Sequence, residues 1–555
     1  MEVFYFVLII IGIFTYIVIN HIRYKRKVVR FFSSNYVDWD DYTVDNERLE
    51  FIKTYWNHKK EFSKEIFYID DITWNDLDMN LLYSKINATQ SSSGEEVLYY
   101  KLRTLSFDEK ELSYFNHLSN LFQNNQTQKL NTLISLFKLG KQNSTKIFSF
   151  LFTELEDKKT VVIPYHLLRL FLIISILSLL FFPMLGSILI LSSISLNIFV
   201  HFSQKNIIDK DLSTLQYISS LVKSAKEISK LDFSSIPELS EKLNQLINTL
   251  HPLSKRLFLS TNSATNDLAI FISYSRIILL QDIIAYYKTF SFVKTHQNEI
   301  LELYHLIGEL DCAIALGEYR NTLPFSSTPH FTNSHQVIVE DLYHPLVENP
   351  IVNSLSWDEN MIITGSNASG KSTFVKSLAI SLIFSQTVGF SFSKQLSTKP
   401  SMVITSMAIK DDIKQQDSYF IAEIKSLKRL MSQLNPNIRC VCFIDEILKG
   451  TNTIERIAAS ASILEYLSSQ NCLVSVASHD IELTEIMKSV YLNYHFRETI
   501  TNDEILFDYK LYLGPTTTHN AILLLKHLGY EDTIVSQANH LANQYRTKKS
   551  WETIK

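Results

Sequence analysis

Hydrophobic positions along this chain fall into three kinds of run, and each kind predicts a different element. The first is continuous. Residues 3–22 carry no Asp, Glu, Lys or Arg for twenty positions, the length a helix needs to cross about 30 Å of hydrocarbon. Residues 170–204 are equally free of charge but are interrupted by Phe182-Pro183-Met184-Leu185-Gly186, which predicts a helical hairpin with arms of about 16–18 residues. The second kind is periodic: residues 212–257 and 270–307 repeat apolar side chains at helical spacing and predict long amphipathic helices. The third is short. Met361-Ile-Ile-Thr364, Cys440-Val-Cys-Phe-Ile444 and Leu473-Val-Ser-Val-Ala477 are apolar almost throughout, the pattern of strands covered on both faces of a parallel sheet.

Charge placement orients these runs. Arg23, Lys25, Arg26, Lys27 and Arg30 follow the first apolar stretch, whereas a cleaved signal peptide carries its positive charge in front, so a membrane anchor is the expected reading. Arg169 before the hairpin and Lys205 and Lys210 after it keep both of its ends on the cytoplasmic side. The expectation is a multi-pass membrane protein whose C-terminal third is cytoplasmic, with a pair of buried core helices as the alternative for the hairpin. At 555 residues the chain should hold several domains, and with 12 Gly and 11 Pro it should be rich in long helices. A net charge of −4 excludes a basic surface spread over the whole molecule. The four cysteines, Cys312, Cys440, Cys442 and Cys472, are too few and too irregular for a disulfide framework or a zinc site.

Chemistry concentrates near the third kind of run. The strand at 361–364 leads into Gly365-Ser366-Asn367-Ala368-Ser369-Gly370-Lys371-Ser372, a complete G-x-x-x-x-G-K-S spacing, and Thr373 opens the helix expected over 373–384. Two glycines allow successive backbone N–H groups to face phosphate oxygens, and the helix adds its positive end. Lys371 is placed to reach the β- and γ-phosphates of ATP, and Ser372 to ligate Mg²⁺. The strand at 440–444 ends in Asp445-Glu446. Asp445 is expected to hold Mg²⁺ and Glu446 to orient and polarise the attacking water. His479, at the end of the run 473–477, falls on the same carboxyl edge of a doubly wound sheet and is a γ-phosphate sensor candidate. Two adjacent carboxylates are ordinarily a solvated surface and a lone histidine ordinarily structural; their place after buried strands argues for function.

These motifs resemble the MutS family. GSNASGKS at 365–372 is similar to its Walker A, DEILKGTNT at 445–453 to its extended Walker B, SHDIEL at 478–483 to its histidine-switch segment, DSYFIAE at 417–423 to its signature segment, and YHPLVE at 343–348 to its lead-in. The resemblance covers residues of about 335–545. It implies a homodimer in which a serine of one protomer reaches the γ-phosphate of the other. Ser418 occupies that position, although on its residues alone it reads as a helix N-cap. The stretch 509–520 resembles the part near the adenine and places Tyr509 where relatives carry a base-stacking histidine. Upstream, DITWNDL at 71–77, GEEVLYYKLRT at 94–104 and GELDCAIAL at 308–316 look like the family's helical core and lever.

The implied fold is an α/β P-loop ATPase domain of the ABC/MutS type preceded by a long-helix lever domain with predicted transmembrane helices. The expected boundaries are 1–30 for the anchor, 31–164 for a core-like helical segment, 165–204 for the hairpin, 205–330 for the lever and 331–555 for the ATPase. The family's mismatch-reading domain has no room before lever-like sequence begins, and Phe107-Asp108-Glu109 has only the letters of its wedge, without a supported minor-groove surface. Residues 531–545 should close the fold as a helix, without the nuclease-like domain some relatives append. The expected activity is ATP hydrolysis driving a dimer switch at the membrane. The alternative is a DNA mismatch- or DNA-structure-binding ATPase with the apolar segments as core helices. A transporter ATPase is disfavoured, since the signature segment lacks an L-S-G-G-Q-type motif.

Overall fold

The computed structural model describes residues 46–62, 67–142, 147–152, 162–256, 274–366, 369–407, 419–500, 505–515, 529–548 and 550–551, with single residues and short pieces elsewhere. The chain divides into two compact units. One comprises Met1–Lys64, Lys85–Tyr100 and His117–Tyr319, the other Glu65–Ser84, Lys101–Asn116 and Arg320–Lys555.

The second unit is built on two sheets. In chain order its strands are β1 His330–Phe331, β2 Val337–Leu342, β3 Asn353–Trp357, β4 Met361–Thr364, β5 Gln395–Thr398, β6 Met402–Ser406, β7 Cys440–Asp445, β8 Cys472–Ala477, β9 Leu492–Ile500 and β10 Ile505–Leu513. Six of them form a sheet in the order β10-β9-β4-β8-β7-β6, parallel from β9 to β6, with β10 antiparallel at one edge. Every residue of β4 is buried, as are the first five of β7, because helices cover the sheet as parallel order requires. Ile404, Cys442, Ile444, Val474 and Val476 from the strands close a core with Leu427, Leu430, Leu464 and Leu467 from the helices Tyr419–Ser432 and Thr453–Ser468. The smaller sheet runs β1-β5-β2-β3. Asn353 of β3 joins the sheets through its amide: Nδ2 donates to Tyr509 O at 2.9 Å and Oδ1 accepts from Leu511 N at 2.8 Å.

Two upstream segments complete this unit rather than standing in a separate domain over 31–164. The short helix Asp71–Asp76, capped by Asp70, lies against β6. Asp76 Oδ2 accepts from Thr405 Oγ1 at 2.6 Å and from Met407 N at 3.0 Å, while Asp70 takes both oxygens to Arg429 at 2.7 Å. An edge strand is thus covered by polar and charged partners instead of remaining an open template.

The first unit is helical in its described residues. Ser92–Arg103 crosses Gln297–Thr322 where a Cβ on Gly308 would come within 2.5 Å of Ser93 O, so only glycine admits the approach. Asp311, one turn further along, is fully buried and accepts from Gln90 N at 3.0 Å and Ser91 N at 2.8 Å at the start of the crossing helix. Gly308 and Asp311 fall within the lever-like stretch 308–316, and their partners Ser93, Gln90 and Ser91 lie just before the stretch 94–104.

Of the three apolar stretches, one forms a described helix long and apolar enough to cross a membrane, Pro183–Asn206, of which 17% is buried. Residues 3–22 lie largely outside the described residues. The first hairpin arm is the shorter helix Val162–Ser178. The second arm does not stop at Gln204: with Pro183 at its first turn it continues unbroken to Ile228, 46 residues. The polar residues after Gln204 keep helical spacing on a face that packs into the unit, burying Leu215, Ile218, Leu221, Val222 and Ala225. A membrane spanned several times is therefore not what the described helices support.

Candidate functional site

The site grows from the carboxyl ends of β4, β7 and β8, which lie in the middle of the larger sheet. After β4 the chain turns at Gly365 (φ 149°) and Gly370 (φ 105°), both in the region that favours glycine. A Cβ on Gly365 would lie 2.8 Å from Phe496 O, so the turn is closed by the neighbouring strand β9 as well. The helix Lys371–Thr387 starts immediately after Gly370, two residues earlier than the sequence predicts, and carries Ser372 and Thr373 in its first turn.

Lys371 is buried, with Nζ donating to the carbonyls of Gly365 and Ser366, each at 2.8 Å. Burial lowers its pKa, against the pull of Asp445 and Glu446. The ammonium is thereby folded back over its own loop, 3.5 Å from His479 Nε2. Ser366 donates through Oγ to Glu498 Oε2 at 2.9 Å. Asn367 and Ala368 lie outside the described residues.

Asp445 closes β7, and burial raises its carboxyl pKa while a hydrogen bond from Ser372 pulls it down. Among the described residues its Oδ1 is buried without a hydrogen-bond partner, as is the hydroxyl of Ser369 in the loop. Glu446 follows with φ 54°, a strained value for a residue bearing a side chain, held by its N–H donating to Ala477 O at 2.9 Å. Its carboxylate meets His479 Nε2 at 3.2 Å and the ammonium of Lys449. The hydrogen bond from His479, followed by the Lys449 contact, brings the Glu446 pKa down to about 2.

The structure thus gathers Lys371, Ser372, Asp445, Glu446 and His479 around the Gly365–Gly370 turn. Tyr509 reaches the same turn from β10. It stands at a bulge with φ 52°, and a Cβ added to Gly370 would come within 3.1 Å of its ring. Ser418 lies outside the described residues. Among the described residues no group of three or more His, Cys, Asp or Glu side chains is arranged to hold a metal by protein ligands alone. A buried orphan carboxylate oxygen beside a serine hydroxyl and a lysine does fit a hydrated divalent cation that takes its other ligands from phosphate and water.

Three supporting contacts are not apparent from the sequence. Glu423 accepts from Lys449 N at 3.3 Å and Gly450 N at 3.2 Å, gripping the backbone after Glu446. Arg456, on the helix Thr453–Ser468, makes a bidentate pair with Asp480, at 2.9 and 2.6 Å. Glu498 on β9 holds Ser366. Each joins residues at least 24 positions apart; the motifs mark Glu423, Asp480 and Ser366 one by one but not the pairings, and they do not reach Arg456 or Glu498.

Comparison with known proteins agrees with this geometry. Residues 361–546 match the family model for MutS domain V. The chain is similar to MutS protein homolog 4 of Mus musculus, 29% identical over 259 residues, which is 42% of this chain and 26% of that protein. It is similar to the DNA mismatch repair protein MutS of Clostridium kluyveri, 25% identical over 45% of this chain and 30% of the relative. A third relative, the DNA mismatch repair protein MutS of Petrotoga mobilis, is 24% identical over 59% of this chain and 40% of its own length. The chain spans 26% to 40% of the length of these relatives. The domain V match begins on β4 and takes in the turn, the paired acids and the histidine, so residues 361–546 are similar to the fifth domain of the MutS family, the part these relatives share with the chain.

Proposed function

We propose that this chain binds ATP with Mg²⁺ and hydrolyses it, and that it works as a dimer in handling mismatched or otherwise irregular DNA. The observation that carries the hydrolytic part is the meeting of Lys371, Asp445, Glu446 and His479 at one turn shaped by two glycines at positive φ. Ser372 and Asp445 would hold Mg²⁺, which when bound neutralises phosphate charge. Lys371 would exchange its two loop carbonyls for phosphate oxygens. Glu446, ionised over the whole physiological range, would orient water, and His479 would fix the carboxylate and sense the terminal phosphate. Gly365, Ser366, Asn367, Ala368, Ser369, Gly370 and Thr373 would line the triphosphate, Tyr509 would stack on the base, and Ser418 would reach across to the partner protomer's nucleotide. The DNA part rests on similarity to DNA mismatch repair proteins that this chain matches over a minority of their length.

Replacing Glu446 by Gln is expected to lower turnover by at least about 10²-fold while labelled ATP still binds. Undiminished hydrolysis overturns its role. For DNA, log affinity should fall steeply with log salt as phosphates are neutralised; the absence of duplex binding at low salt removes that part.

One observation favours a second reading, an ATPase held at a membrane. Leu180, Phe181, Phe182, Met184, Leu185, Ile188, Leu191 and Phe199 of the hairpin are all more than half exposed, a surface far larger than scattered single apolar residues produce. Recovery of the full chain in the pellet after a carbonate wash supports that reading, and release into the supernatant removes it.

A further inference from the structure

The base of the apolar hairpin carries a cleft, and we propose that it is a binding site for the phosphate headgroup of an anionic phospholipid. The proposal rests on the membrane reading and adds the ligand class to it.

The hairpin supplies the first half of the argument. Pro183–Asn206 is 24 residues, about 36 Å of helix, and Val162–Ser178 is 17 residues, about 25 Å. Exposed apolar residues recur along both helices, from Ile163 to Leu177 and from Met184 to Phe202, so a continuous apolar medium suits them better than one groove on one protein. Between Leu170 and Gln204 the sequence holds no formal charge. Polar anchors begin on both arms at the same end. Tyr165 stacks on Tyr287 at 5.6 Å between ring centres, and Tyr287 donates to Gln204 Oε1 at 3.0 Å. Asn197 donates to Ile278 O at 2.8 Å. The Tyr287 contacts fix the hairpin to the helix Gln281–Thr295 at the level where charge resumes, and the Asn197 contact holds it to the segment just before that helix.

The cleft opens at that level. Its volume is about 250 Å³, and it is lined by Arg169, Gln281, Ile284, Ala285 and Lys288. Arg169 is the last charged residue before the apolar stretch and stands one turn beyond Tyr165. Among the described residues neither Arg169 nor Lys288 has a carboxylate within ion-pair distance. Asp282, the nearest acid in sequence, interacts with Arg276 and His201 instead. Two cations, an amide donor and an apolar floor therefore face a cleft that no carboxylate lines among the described residues. A phosphodiester bearing one negative charge matches the cations, and the acyl chains attached to it would lie along the exposed face of Val162–Ser178. Free phosphate would satisfy only the cations and leave the apolar face uncovered; the surface favours the lipid.

The test uses the full chain, floated with vesicles of phosphatidylcholine alone or with phosphatidylglycerol added, in parallel with R169Q/K288Q and with R169K/K288R. The native chain should partition into the phosphatidylglycerol vesicles more strongly, on the order of tenfold. R169Q/K288Q should lose that preference yet still float with phosphatidylcholine, and R169K/K288R should keep it, which separates charge from folding. Equal flotation with both vesicles, or a preference that survives R169Q/K288Q, overturns the headgroup site and leaves the membrane reading standing. Failure to float with either vesicle overturns both. Abolition of the preference by free inorganic phosphate at millimolar concentration overturns the choice of lipid over a soluble anion.

Discussion

Glu446 is the side chain with the most constrained surroundings in the candidate site, and most of what constrains it comes from residues that touch no nucleotide. It is tied to His479, and His479 belongs to a turn whose next residue, Asp480, is gripped by Arg456 through two hydrogen bonds. Arg456 stands one turn after the loop whose amides Glu423 holds. A displacement of that loop would therefore be passed to His479 through a planar, bidentate contact that a single-point interaction could not transmit. Asp480→Asn keeps the shape but gives up the charge-assisted pair, and is expected to lower kcat on the order of tenfold with KM nearly unchanged, because reacting groups lose alignment while the phosphate cradle stays. Steady-state ATPase kinetics check this, and the exchange Arg456→Asp with Asp480→Arg should restore part of kcat. Equal loss in KM and kcat would mean that the pair only holds the fold together. The key acids, lysine and histidine were legible because each sits at a fixed offset from an apolar strand. Arg456 and Glu498 were not, and Glu423 was marked only as part of the 417–423 segment without its partners, because nothing local in a helix or a hairpin strand says which distant residue it will meet.

Among elements, the strands covered on both faces were the easiest to read. β4, β7 and β8 appear within a residue of the expected runs, since full burial leaves a continuous apolar signature. The smaller sheet and the β9–β10 hairpin left no such mark: β2 and β3 alternate buried with exposed or half-buried residues, and β10 carries a bulge between Phe507 and Leu511. Such patterns are shared with loops and short helices. The helix Thr453–Ser468 shows what fixes an element in place. Asn452 caps it by accepting from Ile454 N at 3.0 Å, and Leu464 and Leu467 are fully buried in the core beside β7 and β8. Leu464→Ala should cost about 2–5 kcal/mol, the transfer term plus the cavity left in a close-packed layer. A urea titration of the native and variant chains reads it as a shift of midpoint at constant slope. A cost well under this range would mean that the layer collapses to refill the space.

At the scale of the whole molecule, linear boundaries misrepresent how the chain is partitioned. Motif and apolar pattern place the start of the P-loop domain at 331, whereas the second unit recruits 65–84 and 101–116 from far upstream. The reason is electrostatic as much as apolar. Arg429, on a helix of the second unit, is mostly buried and has its charge paired by Asp70, which also accepts from Gln433 Nε2 at 2.7 Å. β6 ends on a threonine and a backbone amide that both need Asp76. A polypeptide starting at residue 320 would keep every phosphate-binding motif and lose these partners, leaving a mostly buried guanidinium short of its counter-charge. The point substitution Asp70→Ala isolates that loss without cutting the chain, and it is expected to destabilise the ATPase unit by about 3 kcal/mol, the penalty of removing one member of a largely buried pair. Thermal melting followed by ATP-binding competence should show a lower Tm for the variant with unchanged affinity for nucleotide at low temperature, because Asp70 supports the sheet from the edge opposite β10 and touches no residue of the phosphate turn. If affinity fell and Tm did not, Asp70 would belong to the nucleotide site, and the discontinuous unit would owe its coherence to something other than this pair.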